Sequence, residues 1–107
     1  MDKIQQQQGD VCIESAKIPK TAKVKQTNVL ADGEVTGHAH RVVVPEGSDA
    51  TFTVLEEKGD VYLSVRDGVV ELTHEEHHVQ TIPAGDFKIG IVKEYDYDTE
   101  ESRQVRD

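Results

Sequence analysis

The sequence is poor in the residues that build disulfides and large aromatic cores. Its 107 residues include one cysteine, no tryptophan, two phenylalanines and three tyrosines. A lone Cys12 cannot form an internal disulfide, so we expect a reducing setting rather than secretion, with Cys12 a half-buried residue and not a nucleophile. Few aromatic residues also predict a thin core, whose stability an oligomer interface or a bound metal would raise.

Basic residues and long apolar segments are scarce as well. The chain has 21 Asp and Glu residues against 12 Lys and Arg, for a formal net charge of -9. Direct binding to nucleic acid is therefore disfavoured, because each phosphate contact needs a cationic side chain. No apolar segment approaches the roughly 20 residues of a transmembrane helix, and no targeting segment is visible at the N-terminus. We expect a soluble protein with neither a nucleic-acid nor a membrane partner.

The hydrophobic residues alternate with a period of two, which is typical of half-buried strands. Turn residues, such as those at Pro83-Ala84-Gly85, fall about once in ten residues. This pattern predicts an all-β fold, a small antiparallel barrel or sandwich of about eight short strands. Residues 1–8 are expected to be a polar N-terminal arm and residues 9–107 a single β domain. The strands are expected near 10–15, 27–31, 38–44, 50–56, 60–65, 68–72, 79–82 and 86–93.

Two short helical segments are also predicted. Thr73 with Glu76 has the form of a capping box, which indicates one helical turn near 73–78. Between Tyr95 and Asp107, Asp98 or Thr99 could cap a short C-terminal helix.

All five histidines lie in two short stretches, His38-Ala39-His40 and His74-Glu75-Glu76-His77-His78. Histidine is the commonest neutral metal ligand and titrates near neutral pH, so this clustering indicates a metal site, a proton-transfer site or a pH-sensitive patch. Residues i and i+2 of a strand share a face, so the first pair projects together. If the second stretch leans over that face, three or four imidazoles converge, with Glu75 or Glu76 as a ligand, an acceptor or a general base.

The second stretch also matches the letters of the zinc-protease motif H-E-x-x-H. That motif requires a long apolar helix. Here Pro83 follows closely and the flanking segments have the pattern of strands, so we reject a protease.

The chain resembles the cupin family in two short motifs: Gly33 before the H-x-H pair His38-Ala39-His40, and a later P-x-G turn at Pro83-Ala84-Gly85. The resemblance implies an analogous metal site on a small barrel. Lys88 stands about where the family has its third histidine, so His74 or His77 would replace that ligand.

A resemblance along nearly the whole chain is to a family of small proteins encoded by bacteriophages and bacteria. It is carried by five blocks in order. These are Gln8-Gly9-Asp10-Val11, the segment from Val29 to His40, the segment from Leu72 to His77, the segment from Ile82 to Gly85, and Glu94-Tyr95. The resemblance implies a phage-type origin and a place in the host cytoplasm or the virion.

From the sequence we expect a non-catalytic structural or interaction protein, a homo-oligomer or an accessory subunit of a capsid or tail, that binds zinc or another divalent transition metal. The expected ligands are His38, His40, His74 and His77. The alternative is a small metal-dependent, cupin-like enzyme in which the metal activates water and Glu75 or Glu76 is the base. A third hypothesis is a pH switch, in which protonation of the clustered imidazoles loosens the 38–40 strand from the 73–78 turn.

Overall fold

The computed structural model describes residues 5–32 and 38–91 of the chain. These residues form ten β-strands and, within those ranges, no helix. The strands are β1 (Gln5–Gln8), β2 (Val11–Ser15), β3 (Lys23–Lys25), β4 (Val29–Asp32), β5 (Ala39–Val43), β6 (Thr51–Glu57), β7 (Asp60–Arg66), β8 (Val70–His74), β9 (His77–Ile82) and β10 (Gly85–Ile91). The described part of the chain accordingly has no helix long and apolar enough to cross a membrane.

The strands make two antiparallel sheets. The larger sheet has the order β1-β2-β10-β7-β6-β3, and the smaller has the order β4-β5-β8-β9. Neither order closes on itself, so the predicted all-β fold takes the form of a sandwich rather than a barrel.

The core lies between the two sheets and is almost entirely aliphatic. Its buried members come from both sheets: Val11, Ile13, Leu30, Val42, Ala50, Val54, Leu63, Val65, Val70, Leu72, Ile82, Phe87 and Ile89. Burial of each larger side chain stabilises the fold by about 1.5–3 kcal/mol, so alternation of such residues fixes which face of each strand points inward. Cys12 is free and half-buried, as expected.

Each of the eight strands expected from the sequence corresponds to an observed strand, and two further strands are present. Gln5–Gln8, expected to be part of an N-terminal arm, form β1 and pair with β2 from Gln5↔Glu14 to Gln8↔Val11. The other addition, β3, has three exposed residues and pairs with β6. Neither segment carries an apolar alternation that a sequence pattern could detect.

The prediction of a helical turn near 73–78 is wrong. These residues form a β-hairpin in which His74 pairs with His77 across the two-residue turn Glu75-Glu76. Strand pairing on both sides of the turn outweighs the local preference of a capping-box sequence for a helix. The expected C-terminal helix between Tyr95 and Asp107 lies outside the described residues.

Candidate metal centre

The topology of the smaller sheet brings four histidines to one end of the sandwich. His38 lies just before β5 and His40 lies within it, while His74 ends β8 and His77 begins β9. Strand β5 pairs antiparallel with β8, and β8 pairs antiparallel with β9. The start of β5, the end of β8 and the start of β9 therefore lie at the same end of the sheet.

The four imidazole rings form one connected cluster, in which the ring of His74 contacts each of the other three. The ring centroid of His74 lies 5.6 Å from that of His38, 4.4 Å from that of His40 and 4.6 Å from that of His77. The rings of His40 and His77 are stacked at 6.0 Å. Imidazoles distant in sequence thus form one cluster around His74, as expected.

The fifth histidine, His78, has a different place. Its side chain is exposed. The register of β8 and β9 shifts between Leu72 and His74, so His78 and Val79 lie opposite the single residue Thr73. This bulge turns His78 away from the alternation that aligns His74 with His77.

The hairpin turn is closed by an imidazole instead of a hydroxyl. The amide of Glu76 donates to Nδ1 of His74 at 3.0 Å, whereas the Thr73 hydroxyl donates to the Arg41 carbonyl at 3.3 Å. The capping box expected at Thr73 is therefore wrong. His74 Nδ1 accepts this hydrogen bond, so neutral His74 carries its proton on Nε2.

Glu75 ties the turn to the start of β5. Its carboxylate accepts hydrogen bonds from the Ala39 amide at 3.0 Å and from the Arg41 guanidinium at 2.9 Å. The Ala39 amide first, then Arg41, lower the pKa of Glu75 to about 2. Glu75 is thus ionised at neutral pH and is a weak proton acceptor, which suits a ligand better than a general base.

Glu76, the second turn residue, reaches the other side of the cluster. Its Oε2 lies 3.3 Å from Nδ1 of His38. The Glu76 side chain is largely exposed and that of His38 is half-buried. A carboxylate of this kind can orient the imidazole or join it as a ligand.

His40 is the most buried member of the cluster, with 1% of its surface exposed. Its Nδ1 lies 2.8 Å from Oε1 of Gln8, which is itself 2% exposed. Gln8 Nε2 donates to the carbonyls of Leu72 at 2.9 Å and His78 at 2.8 Å. Because these bonds use both amide hydrogens, the Gln8 oxygen faces His40, and His40 Nδ1 must carry a proton.

The other nitrogen of His40 faces a carboxylate. Nε2 lies 3.5 Å from Oδ1 of Asp10, a half-exposed residue in the turn between β1 and β2. Burial first, and then the charge of His74, lower the pKa of His40, although Asp10 acts in the opposite direction. Burial is the dominant cause and favours the neutral form of His40, and Nε2 is the ring nitrogen that faces Asp10.

His77 is placed by a glycine. Gly9 has a φ of +58°, and a Cβ atom built on it would collide with Nε2 of His77. The bare backbone of the β1–β2 turn therefore leaves the space that the imidazole occupies.

The tightest set of potential ligands differs from the four expected from the sequence. The ligand atoms of His38, His74 and Glu75 all lie within 4.8 Å of one another. His40 and His77 are in contact with His74 through their rings but are not part of this set. Two imidazole nitrogens and one carboxylate oxygen are donors that zinc and similar ions accept.

The whole of this site lies inside one family match. A family model described as Domain of unknown function (DUF8820) matches residues 7–91. The chain belongs to this family. No curated protein and no solved structure gives a significant match.

The sequence patterns did not identify three residues of the site in this DUF8820 domain: Gln8, Asp10 and Arg41. Gln8 is the last of four glutamines, and nothing local distinguishes it from its neighbours. Its role depends on carbonyls 64 and 70 residues away. The sequence gives a weak indication for Arg41, because it follows the H-x-H pair and faces the same side of β5 as Ala39.

Proposed function

We propose that this protein is a non-catalytic interaction module that binds a divalent transition metal, zinc being the best fit, where β5 meets the β8–β9 hairpin. One observation carries the proposal: the ligand atoms of His38, His74 and Glu75 lie within 4.8 Å of one another. Two nitrogens and one oxygen match the ligand preference of zinc.

The carboxylate surroundings support a structural use of the metal. Glu75 is held in place by Ala39 and Arg41, as ligand carboxylates commonly are by neighbouring donors. Glu76, at 3.3 Å from His38, is available as a fourth ligand. Four protein ligands close the coordination sphere, which is typical of structural zinc.

The cupin-like enzyme is less well supported. Glu75 would be a poor base because its pKa is about 2. Within the part of the chain that the structure describes, one cavity of about 310 Å³ beside β3 and β6 is lined by Val24, Lys25, Gln26, Thr27, Phe52, Thr53 and Val54, none of which belongs to the cluster. A substrate there would not meet the histidines.

Metal binding by untagged protein tests the proposal. After equilibrium dialysis against Zn²⁺, the wild-type chain should retain zinc and the His74→Ala variant should lose the ion held at this position. His78→Ala is the matched control, because it removes an exposed histidine of the same hairpin. Absence of zinc from the wild-type chain, or equal losses in both variants, would overturn the proposal.

We further propose, on the resemblance to phage-encoded proteins, that the module is an accessory component of a virion and meets a capsid or tail protein. The acidic charge of -9 favours a basic protein surface as the partner. Co-sedimentation with phage particles tests this role. A chain that stays unbound to its own phage's particles and structural proteins would contradict it.

A further inference from the structure

The inner side of the cluster holds two potential metal-ligand atoms that the zinc position above does not use. His40 Nε2 and Asp10 Oδ1 lie 3.5 Å apart, with 1% of the His40 side chain exposed. Gln8 accepts from Nδ1, so Nε2 is the His40 nitrogen that is available to a ligand on this side. A buried imidazole nitrogen and a carboxylate oxygen that face each other in this way can bind one divalent cation between them.

The separation of these atoms fits two ligands of one ion. In a tetrahedral zinc site with bonds of about 2.0 Å, neighbouring ligand atoms are about 3.3 Å apart. The observed 3.5 Å is close to that spacing. A histidine that binds a metal through one nitrogen usually donates the N–H of its other nitrogen to a neighbouring acceptor, which fixes the tautomer. Gln8 is such an acceptor for His40 Nδ1, and it leaves Nε2 available as the ligand atom.

A third potential ligand, His77, lies nearby. The ring of His77 is stacked on that of His40 at a centroid distance of 6.0 Å, and its Nε2 lies over Gly9, the residue before Asp10. His77 is exposed, so rotation of its side chain toward the pair is inexpensive.

We propose that His40, Asp10 and His77 form a second position for a divalent transition metal, next to the first and sharing no ligand with it. An ion there would join the β1–β2 turn of the larger sheet to β5 and β9 of the smaller sheet. The N-terminal hairpin would then be locked onto the sandwich by metal as well as by Gln8.

Zinc stoichiometry of the full-length chain tests this position. Wild-type protein dialysed against Zn²⁺ should retain two equivalents, and Asp10→Asn and His38→Ala should each retain one. Asn suits a turn, so the Asp10 variant should fold. Asp49→Asn, at an exposed position elsewhere, is the control and should retain two.

Long-range ¹H–¹⁵N spectra of the imidazoles separate this inference from the proposed function. Zinc should shift Nε2 of His40 in the wild-type chain, and the shift should be absent in Asp10→Asn. A zinc response at His38 and His74 with His40 unchanged would overturn the second position and leave the first intact. A response at His40 alone would support the second position and overturn the first. No response at any of the four histidines would overturn both.

Discussion

Two hairpins of this sandwich have turns of the same length but are built in different ways. In the β6–β7 hairpin, seven consecutive residue pairs run from Thr51↔Arg66 to Glu57↔Asp60. Its turn residues, Lys58 and Gly59, have φ values of 52° and 88°, as the favoured two-residue hairpin turn requires. Backbone preference alone is enough to close it.

The β8–β9 hairpin has neither of these features. Its register shifts between Leu72 and His74, and positive φ at non-glycine residues of the described chain is confined to Lys58 and Asp67. Side-chain hydrogen bonds to the backbone stabilise this irregular hairpin instead. His74 accepts from the amide of Glu76 in the turn, and Gln8 donates to two carbonyls beside the bulge. Irregular pairing that is compensated by polar side chains is typical of functional sites.

The largest expected effect concerns Gln8. Gln8→Ala should lower the free energy of unfolding by about 2–4 kcal/mol, because it leaves two carbonyls and His40 Nδ1 without their buried partner. Urea denaturation measures this. Gln7→Ala removes an exposed glutamine of the same strand, bonded only locally to Gly9, and should cost less than about 0.5 kcal/mol. Equal costs for the two variants would show that the bulge does not depend on Gln8.

A comparison of glycines at the two kinds of turn should give the next largest effect. Gly9→Ala should destabilise the chain by about 1.5 kcal/mol, mostly from the strain of positive φ, with a smaller cost for moving the exposed His77 ring aside. Gly59→Ala, in the β6–β7 turn with open space around its Cβ, should cost about 1 kcal/mol from φ alone. Thermal or urea unfolding of both variants checks the order, and a reversed order would contradict the placement of His77.

Zinc should alter one hairpin turn and leave the other unchanged. A metal bound through either nitrogen of His74 disturbs the hydrogen bond from the Glu76 amide, because Nδ1 is either occupied or must take up a proton. The amide signal of Glu76 should therefore shift on titration with Zn²⁺, while that of Gly59 stays in place. Unchanged Glu76 in zinc-loaded protein would exclude His74 as a ligand.

The smallest expected effect is a pH dependence. The folded chain holds the pKa of Glu75 at about 2, below its ordinary value of 4.5, so its contribution to stability is present above about pH 4.5 and is lost as the pH falls toward 2. Glu75→Gln should flatten the stability profile over that interval. Glu57→Gln, at the end of β6, is the control from the other hairpin. A profile for Glu75→Gln that parallels wild type would refute the role of Glu75 in joining the turn to the start of β5.

Sequence patterns predicted the core strands well because the alternation that marks a half-buried strand lies within the strand itself. Alternating apolar residues in β7 and β10 are enough to show which face is buried. The convergence of His38 and His74 was a hypothesis from the sequence, because it depends on β5 and β8 being neighbours in the sheet, which no local pattern shows. Similarly, the strand character of Gln5–Gln8 depends on pairing with β2, and a polar sequence carries no sign of it.

The turn at Glu75-Glu76 shows why the rest of the site was missed. Thr73 and Glu76 have the spacing of a helix start, yet strand pairing on both flanks fixes a hairpin, and His74 takes the place of the capping hydroxyl. Likewise, the burial of Gln8 against His40 follows from the packing of one sheet on the other. Such partners become visible only when the distant strands are placed in space.

X-ray absorption of zinc-loaded protein tests the central claim most directly. With one equivalent of Zn²⁺ bound, we predict nitrogen and oxygen ligands at about 2.0–2.1 Å and the scattering signature of two imidazoles. A spectrum of zinc surrounded by oxygen alone, with no imidazole contribution, would contradict the claim that these histidines form a metal centre.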